Sequence, residues 1–235
     1  MTNHPPLTFY DIAMRPPIEK TCSAPNPWKA RLALNFKNAA YKTTWVHLPD
    51  IASTRRSLNV PAGRKFADGS DFYTLPILHD AATDTKIGDS FDLAVYLQER
   101  YPDNRGDLFP ALKENEKLDF ECGAHSIIPL SDVTEWGKGE KYIEYARFNT
   151  HVDAAFTAHV QLMVHGLKFP DETAEQSKAE FCRRAGVDSW EFFGVEGEER
   201  VKLKESLKGM LGDLGRLFDR DAKNVRHNYP FPTCC

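Results

Sequence analysis

The spacing of apolar residues along the chain changes part of the way through it. Helical spacing follows Asn26, where Trp28, Leu32 and Phe36 lie four residues apart, and it returns after Asp89. With Ala33 beside them, these residues predict one buried face of the first helix. Short apolar runs bounded by proline, glycine or polar residues predict strands between these helices and before them, at residues 7–12, 41–48, 75–78 and 85–87. Helices and strands together predict an α/β layer.

Strand-like runs are absent from the pattern after about residue 108. Residues 142–167 and 199–218 instead carry apolar side chains at three- and four-residue steps, which predicts amphipathic helices. The polar segment 103–110 contains proline and glycine, which predicts a linker. We therefore predict an α/β domain at residues 1–104 and an all-helical domain at residues 110–235.

Composition and charge argue against a nucleic-acid-binding protein and against a membrane-spanning one. A net charge of −4 gives no reason to expect a nucleic-acid partner, and no apolar run approaches the length of about 18 residues that would span a membrane. The N-terminal sequence lacks the basic and apolar segments of a secretory signal. The five cysteines are scattered, without a CxxC pair or a zinc-like spacing, so we predict no metal site and a reducing, cytoplasmic location.

A small polar loop, Cys22-Ser23-Ala24-Pro25-Asn26, precedes the first predicted helix. Asn26 followed by a proline is a favourable N-cap. The start of a helix offers unpaired N–H groups and partial positive charge, and a thiolate placed there is stabilised, so the pKa of its thiol falls. The alternative is an ordinary capped helix start.

The strand predicted at residues 75–78 begins with Leu75-Pro76. The helix predicted after the strand at residues 85–87 begins with Asp89-Ser90. A cis bond at Pro76 would expose the backbone N–H and C=O of Leu75 to an extended peptide, although a trans proline is also tolerated at the start of a strand. Asp89 can accept from an ammonium and Ser90 can help to hold a carboxylate, although both residues are also common N-caps. In this order, the loop and the two pairs fit a peptide with a thiol and a γ-glutamyl end.

Five stretches of the first half carry a recognisable pattern: FYDI at 9–12, PNPWKARLALNFK at 25–37, YKTTWV at 41–46, YTLPIL at 73–78 and DSFDLAVYL at 89–97. In these stretches the sequence resembles glutathione transferases, closest to the fungal etherase-related (FuA) class, whose bacterial relatives include β-etherases acting on aryl ethers. The resemblance is good over about the first 110 residues and looser in the helical half.

The resemblance implies a thioredoxin-like, glutathione-binding domain followed by an all-α domain. Glutathione would be the co-substrate. Leu75 would pair with its cysteinyl backbone, Pro76 would be cis, and Asp89 and Ser90 would hold its γ-glutamyl end. Asn26 would add a contact near the thiol.

The activity that the resemblance implies is the use of glutathione against aromatic or hydrophobic electrophiles, by conjugation or β-aryl-ether cleavage, as in detoxification. One alternative is a non-catalytic, ligandin-type binder of polyphenols or other hydrophobic compounds. Another is a transferase-like interaction module. The resemblance also implies a homodimer.

The sequence departs from the family pattern at two places. The family's catalytic serine directly precedes proline, whereas here that position is Ala24 and the serine is Ser23. Ser23 is the first candidate for the catalytic residue; backbone donors with the helix dipole are the second, and Cys22, through a mixed disulfide, is the third. After Phe218 no capping box follows. We therefore expect a shortened C-terminus that leaves apolar helical surface uncovered, including part of the stripe at residues 203–217.

Overall fold

The structure, a computed structural model, describes residues 6–112, 118–123 and 141–222, with side chains described as far as residue 217. The strands are β1 (Leu7–Ile12), β2 (Tyr41–Val46), β3 (Arg64–Lys65), β4 (Asp71–Phe72), β5 (Ile77–Asp80) and β6 (Thr85–Ile87). The α-helices are α1 (Ile18–Thr21), α2 (Pro25–Phe36), α3 (Ile51–Ser57), α4 (Ser90–Arg100), α5 (Ile143–Thr157), α6 (Gln161–Val164), α7 (Ala174–Ala185) and α8 (Gly197–Ala222). Short 3-10 turns lie at Leu48–Asp50, Asp171–Thr173 and Trp190–Phe193.

Four of the strands form one mixed sheet in the order β2-β1-β5-β6, while β3 and β4 form a separate two-stranded ladder. β1 and β2 are parallel and are joined through α2, whereas β5 is antiparallel to β1 and to β6. This arrangement confirms the α/β layer, because a parallel pair with a crossover helix is combined with a hairpin.

Alternating residues of β1 build the core on one face of the sheet. Leu7 and Phe9 are buried there with Leu34 of α2 and Leu93 and Leu97 of α4. The period of two in the strand matches the period of about 3.6 in each helix, so all these apolar side chains meet in one layer.

The opposite face of the sheet has its own buried cluster. It includes Val46, Ile77 and Leu75, together with Ile51 of α3 and Phe169, which lies much later in the chain. The sheet is therefore covered on both faces, as expected for a layered α/β unit.

The buried face of α2 differs from the predicted one. Trp28 is 37% exposed and Leu32 is 60% exposed, whereas Ala30, Ala33 and Leu34 are buried. Small alanine side chains let the helix backbone approach its neighbours closely, so that they, rather than the larger residues, face the core. The prediction is confirmed for Ala33 and was wrong for Trp28 and Leu32.

Two strand boundaries also differ from the prediction. β2 ends at Val46 because a 3-10 turn with Pro49 near its start follows. β5 begins at Ile77, two residues later than predicted, because Pro76 has no N–H with which to join the ladder.

Contacts divide the described residues into two compact units. The first contains the described part of residues 1–111 together with residues 163–192, and the second contains the described parts of residues 112–162 and 193–235. The segment with Phe169 and α7 therefore packs in the first unit, although it belongs to the helical half of the sequence. The domain limits at residues 104 and 110 stay a prediction.

The second unit contains two long helices, α5 and α8, where the sequence predicts amphipathic helices. Helix α5 ends at Thr157, ten residues before the end of the predicted stretch 142–167, and the short α6 follows it. Ser206 Oγ and Nε2 of the buried His159 lie 2.9 Å apart and link α8 to the end of α5. None of the described side chains of α8 is buried, and Val201 and Leu211 are 60% and 46% exposed. Residues 223–235, where the sequence departs from the family pattern, lie outside the described residues.

None of the helices in the described ranges combines the length and the apolar character needed to cross a lipid bilayer.

Candidate functional site

Strand register brings the predicted site segments to one end of the sheet. Ile12 at the end of β1 lies beside Val46, and Tyr10 lies opposite Ile77 at the start of β5. Ile87 at the end of β6 lies opposite Leu78. The loop that leads from β1 to α2, the Leu75-Pro76 pair and the Asp89-Ser90 pair therefore all begin at this end.

Leu75 combines a buried side chain with unpaired backbone groups. The side chain is 3% exposed, and the Leu75–Pro76 peptide bond is cis, as the resemblance implies. Neither the backbone N–H nor the C=O of Leu75 makes a hydrogen bond to another residue in the described ranges. A buried side chain next to free peptide groups is the arrangement that accepts a peptide along a strand edge.

Asp89 and Ser90 occupy the start of α4. Asp89 is the N-cap, and its Oδ1 accepts hydrogen bonds from the N–H groups of Phe91 at 2.7 Å and Asp92 at 3.2 Å. The capping role is therefore realised, and it uses one oxygen of the carboxylate. Ser90 is 6% exposed, and no hydrogen bond joins its hydroxyl or its N–H to the described part of the chain. Both groups remain available to a ligand.

A second acidic group, Asp92, lies in the first turn of α4. Burial raises the pKa of the Asp92 carboxyl, and the nearby charge of Asp89 adds to this effect.

The start of α2 differs from the expected capped end. The N-cap is Ala24, which has no side-chain cap hydrogen bond, and Asn26 lies inside the helix. The prediction of Asn26 as N-cap was wrong, because the helix begins two residues earlier than predicted, at Pro25. Pro25 and Pro27 have no N–H, and the N–H of Trp28 already bonds the Ala24 carbonyl at 3.1 Å. The first turn therefore offers the single backbone N–H of Asn26, where a helix usually offers more.

The side chain of Asn26 is a further polar feature of this helix start. Its Oδ1 is buried and has no hydrogen-bond partner among the described residues. A buried amide oxygen without a partner is costly, so a ligand that donates a hydrogen bond here would relieve that cost.

Ser23 and Cys22 lie just ahead of α2 in different environments. Ser23 is exposed, and its hydroxyl makes no hydrogen bond to the described part of the chain. Cys22 is 8% exposed, and burial, followed by the charge of Asp11, raises the pKa of its thiol. A buried thiol with a raised pKa is a poor nucleophile, so the geometry disfavours Cys22. Nε1 of Trp28 donates to the Cys22 carbonyl at 2.8 Å and anchors the loop.

Arg55 is a polar residue of this region that the sequence patterns did not single out. It is 2% exposed, and its guanidinium donates to the carbonyls of Thr74 at 2.6 Å, Gly88 at 2.9 Å and Pro61 at 2.5 Å. Burial lowers the pKa of Arg55, although the charge of Asp89 opposes this effect. A signal for Arg55 did exist, since it follows the apolar Ile51 by one helical turn.

A buried ion pair beneath α2 was also not predicted. Nη2 of Arg31 donates to Oδ2 of Asp11 at 2.6 Å, and the guanidinium lies 5.1 Å from the ring centroid of Phe9 and 5.3 Å from that of Trp45. Burial raises the pKa of Asp11, while the hydrogen bond from Arg31 opposes this effect. The pair ties α2 to the sheet next to the loop that carries Ser23.

Comparison with known proteins agrees with this architecture. Residues 24–100 match the family described as glutathione S-transferase, N-terminal domain. A glutathione S-transferase-like protein of Aspergillus flavus is 35% identical over 127 residues, which cover 52% of this chain and 44% of that protein. The match therefore spans under half the length of this curated relative.

Solved structures of fungal enzymes share the fold. The glutathione transferase GSTFuA2 of Phanerochaete chrysosporium is 26% identical, with a TM-score of 0.65, over 92% of this chain and 74% of that one. A glutathione S-transferase of Ceriporiopsis subvermispora, solved in complex with glutathione, is 28% identical, with a TM-score of 0.67, over 90% of this chain and 73% of that one.

These similarities confirm the predicted fold class, a thioredoxin-like sheet-and-helix domain with a helical second half, and they agree with the resemblance to glutathione transferases. The roles of Ser23, Asn26, Leu75, Pro76, Asp89 and Ser90 stay predictions. Residues 24–100 are therefore similar to glutathione S-transferase N-terminal domains, and the chain shares the fold of the fungal glutathione transferases named above.

Proposed function

We propose that this protein binds glutathione in an extended conformation along the Leu75 edge and uses it as a nucleophile. The observation that supports this proposal most directly is that Leu75 has a buried side chain and peptide groups that bond to none of the described residues, at the sheet end where α2 and α4 also begin. The cysteinyl N–H and C=O of glutathione would pair with these groups.

The two ends of the ligand have separate partners in this proposal. The γ-glutamyl carboxylate would accept hydrogen bonds from the N–H and hydroxyl of Ser90, and its ammonium would bind the Asp89 carboxylate. The sulfur would lie at the start of α2, near Asn26 and Ser23. Ser23 is our candidate for the hydroxyl that donates to the thiolate.

The reaction we propose is attack of the glutathione thiolate on an aromatic or hydrophobic electrophile. A bond forms between sulfur and the electrophilic carbon, and the bond to the leaving group breaks, with the leaving group taking the electron pair and then a proton. Conjugation and β-aryl-ether cleavage both follow this scheme. We also propose a cytoplasmic, homodimeric protein, to be tested by fluorescent tagging and by analytical ultracentrifugation.

Calorimetric titration with glutathione tests the binding site. We expect Ser90→Ala to weaken binding about tenfold, because it removes a hydrogen bond to a charged group. Ser57→Ala is a matched control, since its hydroxyl is exposed and bonds only the Thr54 carbonyl at 2.8 Å. Equal affinities of the Ser90→Ala variant and the wild type would remove Ser90 from the site.

A second candidate function is glutathione-dependent binding without turnover, as in ligandins. The observation that favours it is the start of α2, where Ala24 replaces a hydroxyl and one backbone N–H remains. Conjugation and aryl-ether assays on wild type and Ser23→Ala separate these functions. Turnover that Ser23→Ala abolishes supports the enzyme, binding without turnover supports the ligandin, and no binding leaves an interaction module.

A further inference from the structure

Arg55 places one buried cation among backbone carbonyls at the candidate site. Its Nη1 donates to both Thr74 and Gly88, and its Nη2 donates to Pro61. Nothing in the described ranges pairs its guanidinium with a carboxylate by hydrogen bonding. Carbonyl dipoles and the nearby charge of Asp89 therefore balance the guanidinium charge, and the hydrogen bonds to the carbonyls are charge-assisted.

The carbonyls that Arg55 binds lie directly before the two halves of the glutathione site. Thr74 precedes Leu75, and Gly88 precedes Asp89 and Ser90. Because one nitrogen atom binds both carbonyls, it fixes the distance between the segment that would pair with the cysteinyl backbone and the helix start that would hold the γ-glutamyl end.

Gly88 has no side chain that would collide with the Arg55 guanidinium. A Cβ atom at position 88 would lie 2.1 Å from Nη2 of Arg55 and 2.6 Å from a methyl group of Val60. The absence of a side chain therefore lets the guanidinium approach the backbone. At Gly63, in the neighbouring loop, an added Cβ would meet nothing within 4 Å.

We propose that Arg55 is a positioning residue that sets the spacing between the Leu75 edge and the Asp89-Ser90 helix start for a ligand that contacts both. This inference rests on the proposed glutathione binding. Planar geometry is essential to the role, since a guanidinium directs several donors at fixed angles, whereas a lysine ammonium is a single compact head on a flexible stem.

Two pairs of variants test the role. Arg55→Lys removes the planar fork, and its matched control is Arg56→Lys, one residue along α3, where the exposed guanidinium stacks over Tyr73. Gly88→Ala displaces the guanidinium without changing Arg55, and its control is Gly63→Ala. Circular dichroism and cooperative urea unfolding identify the variants that fold. If Arg55→Lys does not fold, Gly88→Ala still tests the role of Arg55.

The readout is the dissociation constant of two ligands, glutathione and the dipeptide Cys-Gly, which lacks the γ-glutamyl group. We expect Arg55→Lys and Gly88→Ala to weaken glutathione about tenfold or more and Cys-Gly by much less, because only glutathione contacts both segments. The two control variants should match the wild type. A merely structural role would weaken both ligands by the same factor.

Three results would overturn the inference. Folded Arg55→Lys and Gly88→Ala variants that bind glutathione as tightly as the wild type would remove the role of Arg55 while leaving the proposed function intact. Equal weakening of both ligands would do the same. A wild-type protein that does not bind glutathione would overturn the proposed function, and the inference with it.

Discussion

Ala24 shows how one side chain can limit the chemistry of a whole site. It is the N-cap of α2 and cannot accept or donate a hydrogen bond through its methyl group. Prolines at positions 25 and 27 remove two more donors from the first turn. In the proposed site, two residues therefore remain to stabilise the thiolate at this helix start. They are Asn26 and the exposed Ser23.

Ala24→Ser should increase that capacity. A hydrogen bond from a serine hydroxyl to a thiolate is worth about 1.5–3 kcal/mol, and in the proposed site this hydroxyl would lie where the family places the catalytic one. We expect the thiol pKa of bound glutathione to fall by about one unit, since one pKa unit corresponds to about 1.4 kcal/mol.

Ultraviolet absorbance of the thiolate against pH measures this shift. Ser23→Ala should move the pKa in the opposite direction if Ser23 supplies the present hydrogen bond. An unchanged thiol pKa in Ala24→Ser would show that the position before Pro25 does not face the sulfur.

At the scale of elements, Asp80 joins the hairpin of β5 and β6 to α4. Its carboxylate is 3% exposed and accepts hydrogen bonds from Tyr96 Oη at 2.6 Å and from the N–H of Ala82 at 2.9 Å, with Arg100 Nε at 3.5 Å. Burial by itself would raise the pKa of Asp80, but these partners outweigh it and hold the pKa below its usual value of 3.8. The hairpin and the helix that begins with Ser90 are therefore tied together by an ionised group.

Because the pKa of Asp80 is lower in the folded protein, the free energy of unfolding should fall as the solution becomes more acidic. The stabilisation by Asp80 is present above about pH 4 and is lost as the pH falls through the lower, folded-state value. Asp80→Asn should lower the free energy of unfolding at pH 7 by about 1.5–3 kcal/mol, as for hydrogen bonds to a charged group. The difference from the wild type should shrink at pH 3.

Urea unfolding at pH 7 and pH 3 measures the difference in the free energy of unfolding between Asp80→Asn and the wild type. Asp50→Asn is the control, because Asp50 is exposed and makes no side-chain cap hydrogen bond. A difference between Asp80→Asn and the wild type that is equal at pH 7 and pH 3 would exclude the ionised carboxylate as its cause.

At the scale of the molecule, the first compact unit is built from two parts of the chain that are far apart in sequence. Phe169 is 4% exposed in the cluster with Val46 and Ile51. Polar contacts add to this packing, since the N–H of Arg15 donates to the Lys168 carbonyl at 2.8 Å and Arg184 Nη1 donates to the Tyr73 carbonyl at 2.7 Å. The sheet face opposite α2 and α4 is thus completed by residues 163–192.

Phe169→Ala should therefore destabilise this unit strongly. Loss of a buried phenylalanine costs about 3–5 kcal/mol, because a cavity remains. Phe192→Ala is the control, since Phe192 is 43% exposed, and we expect it to cost less than about 1 kcal/mol. Urea unfolding followed by circular dichroism measures both, and similar losses in the two variants would contradict the packing described for Phe169.

Local patterns of the sequence by themselves determined the elements whose hydrogen bonds and capping lie within a few residues. The strands at residues 7–12 and 85–87 and the helix start at Asp89-Ser90 agree with the structure, because alternation and N-cap chemistry act locally. Resemblance supplied the family and the cis bond before Pro76.

Only the tertiary structure decided the contacts between residues that are far apart in the sequence. Arg55 binds carbonyls up to 33 residues away, Arg31 pairs with Asp11 across 20 residues, and Phe169 fills a core begun more than a hundred residues earlier. Burial of Ala30 instead of Leu32 likewise reflects how closely α2 approaches its neighbours. These features arise from packing between separate elements. The spacing of residues within one element can suggest that Arg55 faces the interior, but it does not identify the distant partners.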